Sequence, residues 1–98
     1  MRRLEWTVKA LIDLDEAQRY IAQESPIAAQ AIAQRIHDAV RLLQSQPDIG
    51  SPAHIPTVRV WVVARSPYLI VYRVRGETVE ILRLWHGRRD WKSASQQA

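Results

Sequence analysis

Three consecutive segments rich in β-branched and aromatic residues occupy the C-terminal half of this 98-residue chain. They are residues 57–63, 68–74 and 78–85. Ser66-Pro67 interrupts the chain between the first two segments, and Gly76 lies between the last two. A short link that contains Gly between two such segments is typical of a β-hairpin. The sequence therefore predicts three consecutive antiparallel strands, a meander.

The first of these segments alternates. Val58, Val60 and Val62 are separated by Arg59 and Trp61, and successive side chains of a strand point to opposite faces of its sheet. We therefore expect the valines on one face and Arg59 and Trp61 on the other. We also expect Trp61 to lie on the face that no helix of this chain covers.

Two helices are predicted before the meander. Ala10, Leu14, Ala17 and Ile21 recur at helical spacing within residues 9–24 and form one apolar stripe. The second helix is predicted over residues 26–45. Its apolar stripe consists of Ala29, Ile32, Ile36, Ala39 or Val40, and Leu43.

Short segments connect these elements. Ser25 suits the cap of the second helix and Pro26 its first position, so the two helices should form a tight antiparallel hairpin. Thr7 is a candidate cap for the first helix, and residues 4–6 are a candidate edge strand. Residues 46–56 are expected to form a loop that Ile49 fixes to the core.

The predicted order is strand, helix, helix, strand, strand, strand. This pattern indicates an α+β domain with a two-layer βααβββ architecture, in which a helical hairpin packs on one face of a small antiparallel sheet. The domain spans residues 1–98, with residues 93–98 expected as a frayed tail. The second face of the sheet has nothing in the chain to cover it, and exposed apolar side chains there would mark a partner site.

Composition excludes several classes of protein. The chain has no Cys, which excludes a disulfide scaffold and a thiolate nucleophile. The three His are scattered in sequence, so we expect neither a metal site nor a cofactor. No segment approaches the roughly 18 apolar residues of a membrane span, and no apolar signal segment follows the N-terminal arginines. We expect a cytoplasmic protein.

The charge is distributed unevenly. Residues 1–58 carry six Lys or Arg and seven Asp or Glu, a net charge of −1, whereas residues 59–98 carry eight and three, a net charge of +5. The basic charge therefore lies on the predicted meander and tail. Such a field attracts an acidic protein partner or a phosphate backbone.

The basic and aromatic residues of the meander and of the segment after it fit two kinds of chemistry. In a metal-free ribonuclease, His86 would act as base or acid, and Arg59 and Arg83 would hold the phosphate. In protein recognition, Arg and aromatic side chains would form an interface without catalysis, because Arg and Trp are enriched at interface hot spots. The candidate residues for contacts with a partner protein are Arg59, Trp61, Tyr68, Arg83, His86, Arg88, Arg89 and Trp91.

From Leu4 to Trp91 the sequence resembles RelE/ParE-type toxins of type II toxin–antitoxin pairs, and more closely the ParE branch. The resemblance depends on the order and spacing of several short motifs. These are Ala10-x-x-Asp13-Leu14, Tyr20-Ile21-Ala22, Ser25-Pro26 with Ala28-Ala29, Pro47-x-x-Gly50, Arg59 with Val62-Val63, Ser66-Pro67-Tyr68-x-Ile70-Val71-Tyr72-Arg73-Val74, and Val79-x-Ile81-Leu82-Arg83-Leu84-x-His86-Gly87-Arg88-Arg89.

The resemblance implies the βααβββ fold and a cognate, ParD-like antitoxin that lies along the helices and the exposed sheet surface. It implies contacts with operator DNA only through the antitoxin, and a possible higher-order toxin–antitoxin oligomer. The ParE branch implies inhibition of DNA gyrase. The RelE branch implies ribosome-dependent cleavage of mRNA, and a third alternative is a non-toxic relative that binds only its antitoxin.

One position separates the two branches. The ribonuclease branch commonly has Arg directly after the aromatic residue of the middle strand, and this chain has Leu69 after Tyr68. The lysine-rich patch of some ribonuclease members is also missing, since the only lysines are Lys9 and Lys92. On the ParE side there is one departure, because the chain lacks the Gly often found ahead of the residue that matches Arg59. The resemblance therefore predicts a non-enzymatic gyrase inhibitor of the ParE type.

Overall fold

A computed structural model describes residues 2–88 of the chain. The helices and strands are β1 Arg3–Trp6, α1 Val8–Glu24, α2 Pro26–Ser45, β2 Ser51–Pro52, β3 Val58–Val62, β4 Tyr68–Arg75 and β5 Thr78–His86. The predictions for Arg89, Trp91 and the tail at residues 93–98 lie outside the described residues.

Both helices begin at the predicted caps. The Thr7 hydroxyl accepts a hydrogen bond of 3.1 Å from the Ala10 N–H, and the Ser25 hydroxyl accepts one of 3.1 Å from the Ala28 N–H. Each bond satisfies one of the N–H groups that the first turn of a helix leaves without an intrahelical partner. Pro26 occupies the start of α2, so the predicted helical hairpin is confirmed.

The sheet has five strands in the order β1-β5-β4-β3-β2. Strands β3, β4 and β5 pair antiparallel, which confirms the meander, and β1 pairs parallel with β5 at one edge. The loop prediction is wrong at Ser51–Pro52, which form β2 on the other edge. Two residues carry no periodicity, so no sequence pattern could reveal this strand.

The helical hairpin packs on one face of this sheet. Ile36 and Leu43 of α2 meet Ile70 of β4 and Ile81 of β5 in a core whose side chains are fully buried. Ile49 is partly buried against the same core, as predicted. The α+β two-layer class is therefore confirmed.

A β-bulge in β5 changes which side chains in the second half of this strand face the helices. Val71 pairs with Arg83 but the next residue of β4 pairs with Ile81, so Leu82 is an extra residue in the ladder. Ile81 and Leu84 consequently both belong to the core. Arg83 then lies on the face away from the helices, where strict alternation from Ile81 would have placed it against them.

The prediction for Trp61 is wrong. Trp61 pairs directly with Ile70, and directly paired residues of antiparallel strands share a face. Since Ile70 is fully buried and Trp61 packs on the same core, Trp61 lies under the helices. The alternation separates Trp61 from the valines correctly, but it does not specify which set the helices cover.

Thr57 is held in an unfavourable backbone conformation just before β3. Its φ is +70°, in the left-handed region that costs a residue with a Cβ roughly 1–2 kcal/mol and that disfavours β-branched residues in particular. This is the segment in which the sequence lacks the family's usual Gly. A Gly at position 57 would adopt this φ without the penalty of a Cβ.

We predict that Thr57→Gly stabilises the protein. Relief of strain outweighs the added flexibility of the unfolded chain, so the free energy of unfolding should rise by about 0.5–1 kcal/mol and Tm by about 3–6 °C. Gly76→Ala is the matched control. Gly76 has a φ of +57° and no atom within 4 Å of an added Cβ, so this substitution should lower Tm. Calorimetry that finds Thr57→Gly no more stable than the parent would contradict the strain argument.

Candidate interaction surface

The face of the sheet away from the helices carries both apolar and cationic side chains, and we call it the open face; of its apolar residues, Val58 and Val71 are buried. Its assignment follows from direct strand pairing, because paired side chains point to the same side. Its residues are Val58, Val60, Val62, Leu69, Val71, Arg73, Glu80, Arg83 and Trp85.

An apolar band crosses the open face. Leu69 of β4 pairs with Val62 on one side and with Trp85 on the other. Val62 is 64% exposed, while Leu69 and Trp85 are half-buried. A contiguous apolar band on a sheet face that no element of the described chain covers suits contact with another protein.

Cations lie at the opposite end of the open face, four residues along β4 from this band. The Arg73 Nε donates a 2.6 Å hydrogen bond to Glu80 Oε1, and the Arg75 Nη1 lies 3.7 Å from the same oxygen. The hydrogen bond from Arg73 is the main reason that the pKa of Glu80 lies below its ordinary value. Glu80 therefore stays ionised near neutrality and holds both guanidinium groups in place.

At the edge of the open face, Arg83 is bound to Asp13 of α1. Its Nε and Nη2 donate hydrogen bonds of 2.7 and 3.0 Å to the two carboxylate oxygens of Asp13. Asp13 also accepts a 3.0 Å bond from the Leu84 N–H, which β1 is too short to reach. The Arg83 Cζ lies 5.3 Å from the centre of the Trp85 ring, so the cation also stacks against an aromatic face.

The three residues of the ribonuclease hypothesis are not brought together. His86 pairs with Tyr68 and Arg59 pairs with Tyr72, which places them about 13 Å apart along β4 at roughly 3.3 Å per residue. Arg83 is on the opposite face of the sheet. The His86 ring packs edge-on against Tyr68 with ring centres 5.4 Å apart, and its Nδ1 accepts a 3.1 Å bond from the Arg88 N–H.

Arg59 binds the loop that follows α2. Its Nη1 donates to the carbonyl oxygens of Gly50 at 2.7 Å and Asp48 at 3.2 Å. Beside it, the Tyr72 hydroxyl donates to the Pro47 carbonyl at 2.7 Å and accepts from the Gly50 N–H at 2.9 Å. Burial raises the pKa of Tyr72 above 10.0, so the phenol keeps the proton that it donates.

The other predicted site residues divide between surface and interior. Tyr68 is only 1% exposed, so its side chain does not belong to a contact surface, and Trp61 lies under the helices. Arg88 is exposed at the end of β5. Sequence reasoning missed Val62 and Leu69, since identifying the open face requires the strand register.

Five large apolar side chains of α1 and α2 are exposed, and we call this set the helix row. Its large side chains are between 50% and 81% exposed. They are Val8, Leu11, Ile12, Tyr20 and Ile27. An amphipathic partner segment could cover this row and shield it from water.

Within residues 2–88, His, Asp and Glu form no group of three that could hold a metal ion. Neither helix in that range is long and apolar enough to span a bilayer.

Comparisons with known proteins agree with this geometry. A family model described as the ParE toxin of the type II toxin–antitoxin system parDE matches residues 4–91. A candidate toxin of Sinorhizobium fredii, Y4kP, is 40% identical over 90 residues, covering 92% of this chain and 93% of that protein. Toxin RelE2 of Caulobacter vibrioides is 40% identical over 89 residues, covering 91% and 99% of the two chains.

Solved structures give the same result. A chain of the chromosomal ParDE toxin–antitoxin system from P. aeruginosa matches with a TM-score of 0.77 and 34% identity over 88% of this chain and 96% of that one. The isolated E. coli RelE toxin shares the fold, with a TM-score of 0.59 and 14% identity over 99% and 98% of the two chains.

The two-layer fold and these relatives define a toxin of the RelE/ParE superfamily. Within it, this chain belongs to the ParE toxin family of type II toxin–antitoxin systems.

We predict that Tyr72→Phe lowers the free energy of unfolding by roughly 2–3 kcal/mol, because the buried Pro47 carbonyl and Gly50 N–H both lose their partner. Gly50→Ala should also destabilise, since an added Cβ would overlap the Tyr72 ring and hydroxyl. The two sites are in contact, so the Gly50→Ala cost should be smaller in the Tyr72→Phe background. Additive costs in urea unfolding would show that the two residues are not coupled.

Proposed function

We propose that this chain is a toxin that inhibits DNA gyrase and that a ParD-like antitoxin neutralises it in the cytoplasm. Membership of the ParE family supports the proposal, as does the 34% identity to a chain of a ParDE system. Contacts with operator DNA would be made by the antitoxin, and toxin and antitoxin would assemble into a larger oligomer.

The observation that carries the gyrase proposal is the setting of Leu69. The ribonuclease branch commonly has a phosphate-binding Arg at this position. Here the side chain is aliphatic and lies between Val62 and Trp85 on the open face. An apolar band at the point where a nuclease would bind RNA phosphate favours a protein target over an RNA target.

The alternative of a ribosome-dependent mRNA endonuclease has weaker support. The name RelE2 of one relative favours it, but His86 and Arg59 are far apart and Arg83 is bound to Asp13. A general base and the cations that stabilise a phosphorane must converge within hydrogen-bonding reach of the same phosphate. A non-toxic relative that binds only an antitoxin is the third alternative.

Two surfaces suit the antitoxin. The helix row offers exposed apolar side chains to an amphipathic helix. The open face and the basic C-terminal part, with a net charge of +5 over residues 59–98, suit an acidic segment of the same partner. The target would then use the open face together with the C-terminal Arg88, Arg89 and Trp91.

We predict that Val62→Asp abolishes gyrase inhibition, because it places a carboxylate in the apolar band without disturbing the core. The measurement is supercoiling of relaxed plasmid by gyrase with increasing amounts of purified toxin. Ile55→Asp is the matched control. Ile55 is 49% exposed and lies outside both surfaces, so this variant should inhibit as strongly as the parent.

Several outcomes would change this assignment. If Arg88→Ala and Arg89→Ala together leave inhibition untouched, the C-terminal residues are not part of the target site. If the parent spares gyrase but cleaves mRNA in a reconstituted translation system, and His86→Ala removes the cleavage, the nuclease alternative replaces the proposal. If folded parent is inactive in both assays, the non-toxic alternative replaces it.

We predict that Ile12→Asp weakens antitoxin binding at least tenfold in calorimetric titration, since a carboxylate would have to be buried under the partner. Gyrase inhibition by free Ile12→Asp should not change. Binding of the parent should also weaken as salt is raised, because an acidic segment meets a basic surface. If neither Ile12→Asp nor raised salt changes the affinity for the antitoxin, the helix row and the basic surface are not the antitoxin-binding site.

A further inference from the structure

The two edges of the sheet differ in how well they are protected. The β2 edge is a strand of two residues that ends in Pro52, and short strands and Pro both hinder pairing with another chain. The β1 edge has four residues, no Pro and no bulge in its pairing with β5. An unprotected edge strand is a template for strand addition.

Hydrogen bonding shows which groups β1 presents at this edge. The Arg3 N–H donates to the Glu77 carbonyl at 2.7 Å and the Thr7 N–H to the Ile81 carbonyl at 3.0 Å. Since alternate residues of a strand direct their N–H and C=O groups to opposite sides, those of Leu4 and Trp6 point away from β5. The edge therefore offers two evenly spaced pairs of donor and acceptor groups.

The charges beside these groups are opposite in sign. Arg3 and Glu5 flank Leu4, point to the side of the open face, and are both exposed. Neither forms an ion pair within residues 2–88. Glu5 is also the direct neighbour of Glu80 in the ladder. Arg73 and Arg75 already bind Glu80, so a cation opposite Glu5 would supply the ion pair that Glu5 itself does not form within residues 2–88.

We propose that β1 pairs antiparallel with β1 of a second copy of this chain, about a two-fold axis at Leu4. In this register each Leu4 exchanges two hydrogen bonds with the other Leu4, and Trp6 faces Arg2 of the second copy. The Arg2 carbonyl also accepts a hydrogen bond from the Gln44 Nε2 of its own chain, so it would serve both donors through its two lone pairs. Arg3 of each copy then lies directly opposite Glu5 of the other on the same face of the sheet. Residues 2–6 are therefore self-complementary in both charge and hydrogen bonding, as a two-fold interface requires.

The resulting dimer has one continuous ten-stranded sheet. Because the axis is perpendicular to the sheet, both helical layers lie on one side and both open faces on the other. Each copy contributes only a short strand, so the interface falls below the roughly 1,200 Å² of stable complexes and should be weak and transient. Self-association through β1 leaves Val62 and the rest of the apolar band exposed.

The test is sedimentation equilibrium of the full chain from micromolar to submillimolar concentration. The parent should associate into dimers at the upper end of this range. Arg3→Glu and Glu5→Arg should each raise the dimer dissociation constant roughly tenfold or more, because symmetry turns two attractive contacts into two repulsive ones. An equimolar mixture of the two variants should form a heterodimer as strong as the parent dimer, and so should the exchanged double variant Arg3→Glu/Glu5→Arg.

Rescue in the mixture shows that both variants are folded and that the contact joins two copies. A parent that stays monomeric throughout the range would overturn the proposal. A dimer dissociation constant that neither Arg3→Glu nor Glu5→Arg changes would also overturn the proposal. The contact between copies would then lie elsewhere, for example on the helix row. The measurement requires neither gyrase nor antitoxin, so it tests the dimer separately from the proposed function.

Discussion

The buried phenol of Tyr72 links the two layers of this fold at the point where the chain passes from helix to sheet. Its hydroxyl donates to the Pro47 carbonyl and accepts from the Gly50 N–H, while Arg59 binds the Gly50 carbonyl. The loop after α2 therefore has its buried polar groups satisfied by side chains of β4 and β3, and burial of such groups without partners would cost several kcal/mol. This link adds to the apolar core between the helices and the sheet, and it fixes the end of α2 and the loop after it against β3 and β4.

This link also explains part of the family motif in physical terms. Pro47-x-x-Gly50, Arg59 and Tyr72 appear as separate signals in the sequence, yet they form one cluster in the structure. Gly50 is required because an added Cβ would overlap Tyr72. Sequence reasoning treated Arg59 as a residue for a target or a phosphate, because an Arg in a strand carries no sign of backbone partners nine and eleven residues earlier.

The sequence predicted the elements far better than the faces. Helical stripes and capping residues are local patterns, so α1, α2 and their boundary at Ser25 could be read directly. The face of Trp61 depends on which side the helices cover, and the face of Arg83 depends on the bulge at Leu82. Both are decided by contacts between distant segments, which explains why the predicted surface included the covered Trp61 and buried Tyr68 but omitted Val62 and Leu69.

The environment of Arg83 bears on whether the open face binds or catalyses. The Nε and Nη2 groups of Arg83 both donate hydrogen bonds to Asp13. The same carboxylate accepts a hydrogen bond from the Leu84 N–H, beyond the end of β1. A cation that stabilises developing phosphorane charge needs donors directed at the phosphate, whereas these donors are directed at α1. Release from Asp13 would leave a partly buried carboxylate without its cation, which is costly. Arg83 therefore fixes α1 against β5 and stacks against the Trp85 ring, and Arg and Trp are among the side chains most enriched at protein-binding hot spots.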